Sequence, residues 1–362
     1  MRLDTFEHPG SPGPPALFMS PPTIYELCRP RADVLEGRIR EEDFAADLSQ
    51  VLKGTAPDLY KNPALFFANT HPTRGLRDLI KAVAGRLTGA DSQLGSILRL
   101  DTSYGGGKTH ALIGLNHILT AADQIPNLAE FIDPARLPSQ KVTVAAFDGE
   151  NADPMNGRRM AGDILAFTPW GELAVQLAGP AGYERIRNSD RLGAAPPGAE
   201  TLRELIGERP VLILIDELSI YLRKIKGPAA GQAAEQLTPF LTDLIKAVNS
   251  SPQAVLVFTL ALGKGGQSVD AYGEENQRID RIFAELQSVT GRQITALTPT
   301  SEDETVQVLT RRLFESIDRS RVEEVVQSYQ EIWSRTAEAL PPVGQSDDRA
   351  VNLRKAIRCI RS

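Results

Sequence analysis

A lysine and a threonine behind three consecutive glycines, and an aspartate–glutamate pair behind five aliphatic residues, are the positions best suited to chemistry in this 362-residue chain. The first stretch reads Ser103-Tyr104-Gly105-Gly106-Gly107-Lys108-Thr109-His110 and follows Leu98-Arg99-Leu100. Glycines let backbone N–H groups approach an anion without Cβ clashes, and a helix N-terminus adds a favourable field, so the stretch is predicted to cradle a polyphosphate. Lys108 would reach the β- and γ-phosphates of ATP, and the Thr109 hydroxyl would bind Mg²⁺. Ser103, Tyr104, Gly105, Gly106, Gly107 and His110 complete the predicted nucleotide-binding set. The consensus G-x-x-x-x-G-K-[ST] is met at Gly107, Lys108 and Thr109, but Thr102 stands where its first glycine would be. Read alone, the stretch also suits a flexible turn before a helix with a solvated lysine.

The second stretch is Val211-Leu212-Ile213-Leu214-Ile215-Asp216-Glu217. A continuous apolar run of this kind suits a central parallel strand buried on both faces. Asp216 would hold Mg²⁺ through water, and Glu217 would act as general base on the attacking water. The competing reading is a strand followed by an acidic helix cap. Thr259, near the end of the next strand, is predicted to orient water or the γ-phosphate, although a β-branched strand residue needs no such role. Transition-state charge calls for an arginine finger, which in oligomeric ATPases comes from a neighbouring subunit. Arg292 is the first choice and Arg278 and Arg281 the others, with surface ion pairing as the plain alternative. Asp148 and Glu150 sit at the strand-end edge, where they could approach the site, but they read better as solvated loop acids. His110 and His117 lie on the helix after the glycine loop, where local packing or hydrogen bonding is the plainer role.

The elements that must position these residues alternate regularly. Strands are expected at 96–100, 141–147, 211–215, 254–261 and 293–297. Helices are expected after the glycine loop, at 169–177, at 232–248 and at 274–289, and 178–198 reads as a polar stretch. This alternation predicts an α/β fold, a doubly wound five-stranded parallel P-loop sheet whose strand C-terminal ends share one edge. Asn62–Thr73 is aromatic and Pro-bearing, and Thr73 is a candidate cap for a helix carrying Leu76, Leu79, Ile80, Val83 and Leu87 on one face. After Pro299, Thr300 or Ser301 with Glu304 forms a capping box for a helix running through Val306, Leu309 and Phe314. A further helix carries Val322, Val325, Val326 and Trp333, and a basic amphipathic helix follows at 353–361. Four regions result: a disordered leader (1–22), N-terminal helices (23–92), an ATPase core (93–298) and an incomplete helical lid (299–362).

Composition excludes several classes. The net charge of −6 gives no general attraction to nucleic acid. No apolar run spans a bilayer and no secretory signal is present, so no membrane partner and a cytoplasmic location are expected. The two cysteines, Cys28 and Cys359, are too few for a disulfide framework or a zinc site.

With these residues in place, the chain resembles an AAA+-type ATPase over roughly residues 62–340. The resemblance rests on Ser103–Thr109, Asp216-Glu217, Thr259 and the helical segment after Pro299. More narrowly, Asn69-Thr70-His71-Pro72-Thr73, Ser103–His110 and Ile215-Asp216-Glu217 resemble the large prokaryotic ATPases catalogued as domain of unknown function 499. Members of that family are often encoded beside DNA methyltransferases and anti-phage systems. The resemblance therefore implies ATP binding and a defence context, with DNA or DNA-modification and defence proteins as partners. Because such proteins continue for hundreds of residues, the chain reads as an N-terminal fragment or truncated member. The expected function is Mg²⁺-dependent ATP hydrolysis by a homo-oligomeric module that drives conformational change in a partner. A nucleotide-binding switch with negligible hydrolysis and a small-molecule kinase are the alternatives.

Overall fold

The computed structural model describes residues 24–37, 46–90, 95–102, 107–225, 228–261 and 294–335, together with Gln277, Ile279, Arg281 and Ala284. Five parallel strands form its main sheet: β1 (Ile97–Thr102), β2 (Thr143–Asp148), β3 (Val211–Asp216), β4 (Ala254–Ala261) and β5 (Thr295–Leu297). Their spatial order is β2-β3-β4-β1-β5. Asp148 lies opposite Asp216, and Leu100 lies opposite Thr259. The protein is thus an α/β fold on a five-stranded parallel sheet. All six residues of β3 are buried, as its continuous apolar run requires of a strand covered on both faces.

The pleat divides the apolar side chains between two cores. Leu98, Leu100, Leu212, Leu214, Val255 and Val257 face one core, which is shared with α1 (Leu48–Lys53), α2 (Pro63–Asn69), α3 (Arg74–Thr88) and α4 (Lys108–Thr120). Ile213, Ile215, Leu256 and Phe258 face the other core. It is shared with α5 (Pro169–Ile186), α6 (Ala199–Ile206), α7 (Leu218–Lys224), α8 (Pro228–Ser250) and Ile279. The helices α1, α2 and α3 therefore bury their apolar faces in the same core as the sheet. Thr73 caps α3 as expected, its Oγ1 accepting from Leu76 N–H, and it also donates to the Pro299 carbonyl. Gly75 permits this docking, because a Cβ there would lie 1.9 Å from the Thr298 carbonyl oxygen.

Several elements differ from the expectation. The helix beginning at Pro169 breaks at Ala178-Gly179, where Gly179 has φ +64°, and resumes through Ile186. Pro180 lacks an N–H and suits the first turn of the resumed segment. Helix α6 was not anticipated, although Leu202, Leu205 and Ile206 carry an amphipathic spacing. Between β2 and α5 a small antiparallel hairpin pairs Arg158–Arg159 with Leu165–Ala166. Only the glutamate half of the expected capping box forms. The Ser301 N–H and hydroxyl both donate to Glu304 Oε2, while the Glu304 N–H donates to the Ser301 carbonyl rather than its hydroxyl. After a 3-10 turn, α9 runs from Thr305 to Leu313. Phe314 does not extend that helix. It begins the strand Phe314–Ile317, which pairs antiparallel with Cys28–Pro30. Long-range pairing overrides the local helical spacing on both sides of that partnership.

By contact density the chain divides into Arg38–Arg312 and a second unit joining Met1–Gly37 to Leu313–Ser362. Among the described residues, the second unit packs Leu27 and Cys28 against Val322, Val325 and Val326, the latter three from α10 (Val322–Arg335). The expected helices at 274–289 and 353–361 and the leader 1–22 lie outside the described residues, apart from the four positions named above.

Side chains finish the sheet where the backbone cannot. β2 is an edge strand, and Gln176 of α5 pairs with Ala146 there, accepting from its N–H at 3.0 Å and donating to its carbonyl at 2.7 Å. This covers an otherwise unpaired edge. Nearby, Arg158 Nη1 pairs with Glu172 Oε2 at 2.9 Å, with the glutamate almost wholly buried. Burial outweighs this pairing and pushes the Glu172 carboxyl up to about 7. A carboxyl raised in the folded state favours folding while protonated, and that contribution is lost as pH rises from the unfolded range toward 7. Urea midpoints measured from pH 5 to pH 8 should fall more steeply for the wild type than for E172Q. Parallel curves would refute the assignment.

Candidate functional site

The C-terminal edge of the sheet gathers six of the sequence-selected residues. Lys108 opens α4 and is buried, being only 6% exposed. Gly107 precedes it at φ +76°, a left-handed conformation that a glycine adopts without strain. Asp216, only 2% exposed, ends β3, and Thr259, only 3% exposed, lies near the end of β4. These strands adjoin, so the Thr259 hydroxyl donates to Asp216 Oδ1 at 2.5 Å. The Thr109 hydroxyl also hydrogen-bonds to the Asp216 carboxylate. Two hydroxyls from separate elements thus meet on one buried acid.

Electrostatics follow from this burial. Desolvation pushes the Asp216 carboxyl up to about 6, against the hydroxyl bonds of Thr259 and Thr109, while the charge of Asp148 adds to the rise and that of Lys108 opposes it. The Glu217 carboxyl is pushed up to about 7, chiefly by burial and next by the charge of Asp216, with Lys108 acting in the opposite sense. A buried acid ringed by hydroxyl oxygens is a hard, oxygen-only donor set of the kind magnesium takes. Among the described residues, no group of three or more His, Cys, Asp or Glu side chains is placed to hold a metal ion by itself. Further oxygens would have to come from water and ligand.

Glu217 is held unusually. Its backbone is left-handed at φ +49° and ψ +44°, a conformation costing a non-glycine residue about 1–2 kcal/mol. Its N–H donates to Thr259 Oγ1 at 3.3 Å, so one hydroxyl bridges the Asp216 side chain and the Glu217 backbone. The Glu217 carbonyl accepts from Ile220 and Tyr221 and starts α7. Glu217 thus stands at the N-cap of α7, yet its side chain makes no capping hydrogen bond. The acidic-cap reading of Asp216-Glu217 therefore does not describe the observed geometry.

Other selected residues fall elsewhere. Ser103, Tyr104, Gly105, Gly106, Arg278 and Arg292 lie outside the described residues, and Arg281 is exposed. His110 stacks on Phe66, with ring centroids 4.3 Å apart, and its Nε2 lies 2.9 Å from Thr70 Oγ1. The Thr70 hydroxyl gives its single hydrogen to the Phe66 carbonyl, so the His110 ring is assigned as the Nε2–H tautomer. Burial pulls its pKa down to about 4, keeping it neutral. His110 thus ties α4 to α2. His117 also packs locally, 2.7 Å from the Tyr60 carbonyl. Asp148 is a buried acceptor rather than a solvated loop acid, taking the N–H groups of Glu150 and Asn151. Its only sequence signal was its place at a strand end before Gly149.

The strand order also shapes this edge. After β1 the chain enters α4 on one face of the sheet, whereas α7 and Ile279, after β3 and β4, pack on the other face. Adjacent parallel strands that send their chains to opposite faces leave a crevice at their C-terminal ends, the usual ligand position in open α/β sheets.

Replacing Thr259 by valine keeps the shape and removes both polar links. T259V should lower unfolding free energy by about 1–3 kcal/mol, since it leaves a buried carboxylate oxygen and a backbone N–H unpaired. T259S should recover most of that loss in the same denaturation assay.

A family model described as the DUF499 N-terminal domain matches residues 25–294. No curated protein and no solved structure matches the chain.

Proposed function

We propose that this chain, which belongs to the DUF499 family, binds ATP with Mg²⁺ and hydrolyses it in the manner of AAA+-type P-loop ATPases. The observation that carries the reading is the convergence of Thr109 and Thr259 on Asp216 beside buried Lys108, at the switch point of a parallel sheet. Thr109 and Asp216 would hold Mg²⁺, which would screen the phosphate oxygens when bound.

The chain's own residues do the rest. Lys108 brings a buried positive charge to the polyphosphate, and the glycine loop 103–107 supplies backbone N–H donors. Glu217, with its carboxylate uncommitted to the helix cap and its pKa raised to about 7, accepts the proton of the attacking water. Thr259 fixes the spacing of Asp216 and Glu217 through one hydroxyl. An arginine from a neighbouring copy, Arg292 in our assignment, would complete charge neutralisation. We extend the reading to a homo-oligomer acting on a partner, with DNA or DNA-modification and defence proteins as the proposed context. Among the described residues, no helix is long and apolar enough to cross a membrane.

Phosphate release in the presence of Mg²⁺ tests the reading. Wild-type protein should turn over ATP, and K108A should lose both binding and turnover. E217Q should bind ATP with near wild-type affinity but turn over at least about 100-fold more slowly, as loss of a general base implies. Full turnover by E217Q would remove Glu217 from its role, and failure of wild-type protein to bind ATP would end the proposal.

A further inference from the structure

The turn that follows β2 lies against Glu217 and has no direct part in the chemistry proposed above. Gly149 N–H donates to the Asp216 carbonyl at 2.9 Å, carrying the ladder one residue past the strand. The approach is close enough that a Cβ on Gly149 would lie 2.1 Å from the Glu217 carbonyl oxygen and 3.2 Å from Tyr221 Cβ. Glycine is therefore required here by proximity to the Glu217 backbone.

One carboxylate holds this turn. Asp148 Oδ1 accepts from the N–H groups of Glu150 at 2.9 Å and Asn151 at 3.3 Å. Its Oδ2 accepts from Asn151 Nδ2 at 2.9 Å and from Ser49 N–H at 3.3 Å. Ser49 Oγ in turn accepts from Arg158, the partner of Glu172. Lys224 of α7 donates to the carbonyls of Glu150 and Ala152, joining the same turn to the helix that Glu217 begins. Asp148 thus sits in a network that reaches the site through the backbone contacts of Gly149 with Asp216 and Glu217 and through Lys224 of α7.

We propose that Asp148 is a positioning residue for Glu217. It fixes the 148–151 turn, the turn presses Gly149 against the Glu217 carbonyl, and that contact helps keep Glu217 in its left-handed conformation. The inference rests on the assignment of Glu217 as the base. Its consequence is specific: ATP binding runs through Lys108, Thr109 and Asp216, so disturbing the brace lowers turnover while leaving binding in place.

The test compares wild type, D148A, D148N and G149A. Three readouts are needed: Mg²⁺-dependent phosphate release, equilibrium binding of ATP, and hydrogen exchange at the Ile220 and Tyr221 amides that bond to the Glu217 carbonyl. D148A and G149A should lower kcat by about 10- to 100-fold, the scale of a small misplacement of a reacting group, and should speed exchange at both amides. KM and the ATP dissociation constant should stay within about threefold, the mark of an interaction that matters in the transition state rather than in ground-state binding. D148N keeps an oxygen for the Glu150 and Asn151 amides and should recover most of the turnover. Unchanged kcat and exchange in G149A would overturn the proposal, as would equal losses of binding and turnover across the set. Should D148A fail to fold, D148N and G149A decide. Should wild-type protein release no phosphate, the hydrolysis reading falls separately, and the exchange comparison still tests the brace.

Discussion

A carboxylate placed at the end of a fully buried strand must find hydrogen-bond donors, because water cannot reach it freely and an uncompensated charge there is costly. Asp216 finds them in Thr259 from the neighbouring strand and Thr109 from the first turn of α4, with the charge of Lys108 close by. Those partners meet because β4 lies between β1 and β3, and because α4 starts at Lys108, shortly after β1 ends at Thr102. Strand order, the glycine at the start of α4 and the placement of Thr259 all follow from satisfying this one group. The same hydroxyl then reaches on to the Glu217 amide, so the buried acid and its uncapped neighbour are held as a unit.

Close backbone approach is the second constraint. Gly149 lies against Glu217 and Gly75 against Thr298, in each case at a distance that no side chain allows. The first contact brings the β2 turn to the candidate site. The second locks the start of α3 onto the segment leaving β5, where Glu304 also accepts from Arg74 N–H. Both contacts sit at the strand-end edge, so the rigid parts of the fold and the candidate chemistry share the same few residues. Acids also outnumber bases there, since the charges of Asp216, Glu150 and Asp148 act on Glu217 against that of Lys108. In our reading a magnesium–polyphosphate complex complements this balance, with cation for the acids and anion for the lysine and loop.

Much of this was legible because it depends on local pattern. Val211–Ile215 announces a strand buried on both faces, and the bounds expected for β4 are those it has in the structure. Ser301 and Glu304 signal their cap through a fixed spacing, and Thr73 does so through its place before an amphipathic run. Asp148 departs from expectation because a strand-end acid looks solvated until its donors, Ser49 among them, are placed around it. Phe314 departs from expectation because its partner strand lies at Cys28–Pro30, and no local window contains both. Arg158 and Glu172 likewise meet only across the hairpin base.

The amino-acid order by itself determined the alternation of strands and helices, the apolar faces and the residue types able to bind phosphate and cation, since each depends on neighbours a few positions apart. Tertiary structure alone decided the strand order, the meeting of Thr109, Asp216 and Thr259, the partners that keep His110 neutral and the left-handed backbone of Glu217. These depend on which strands adjoin and which glycines let backbones touch, and that choice is made by burying the whole sheet at once.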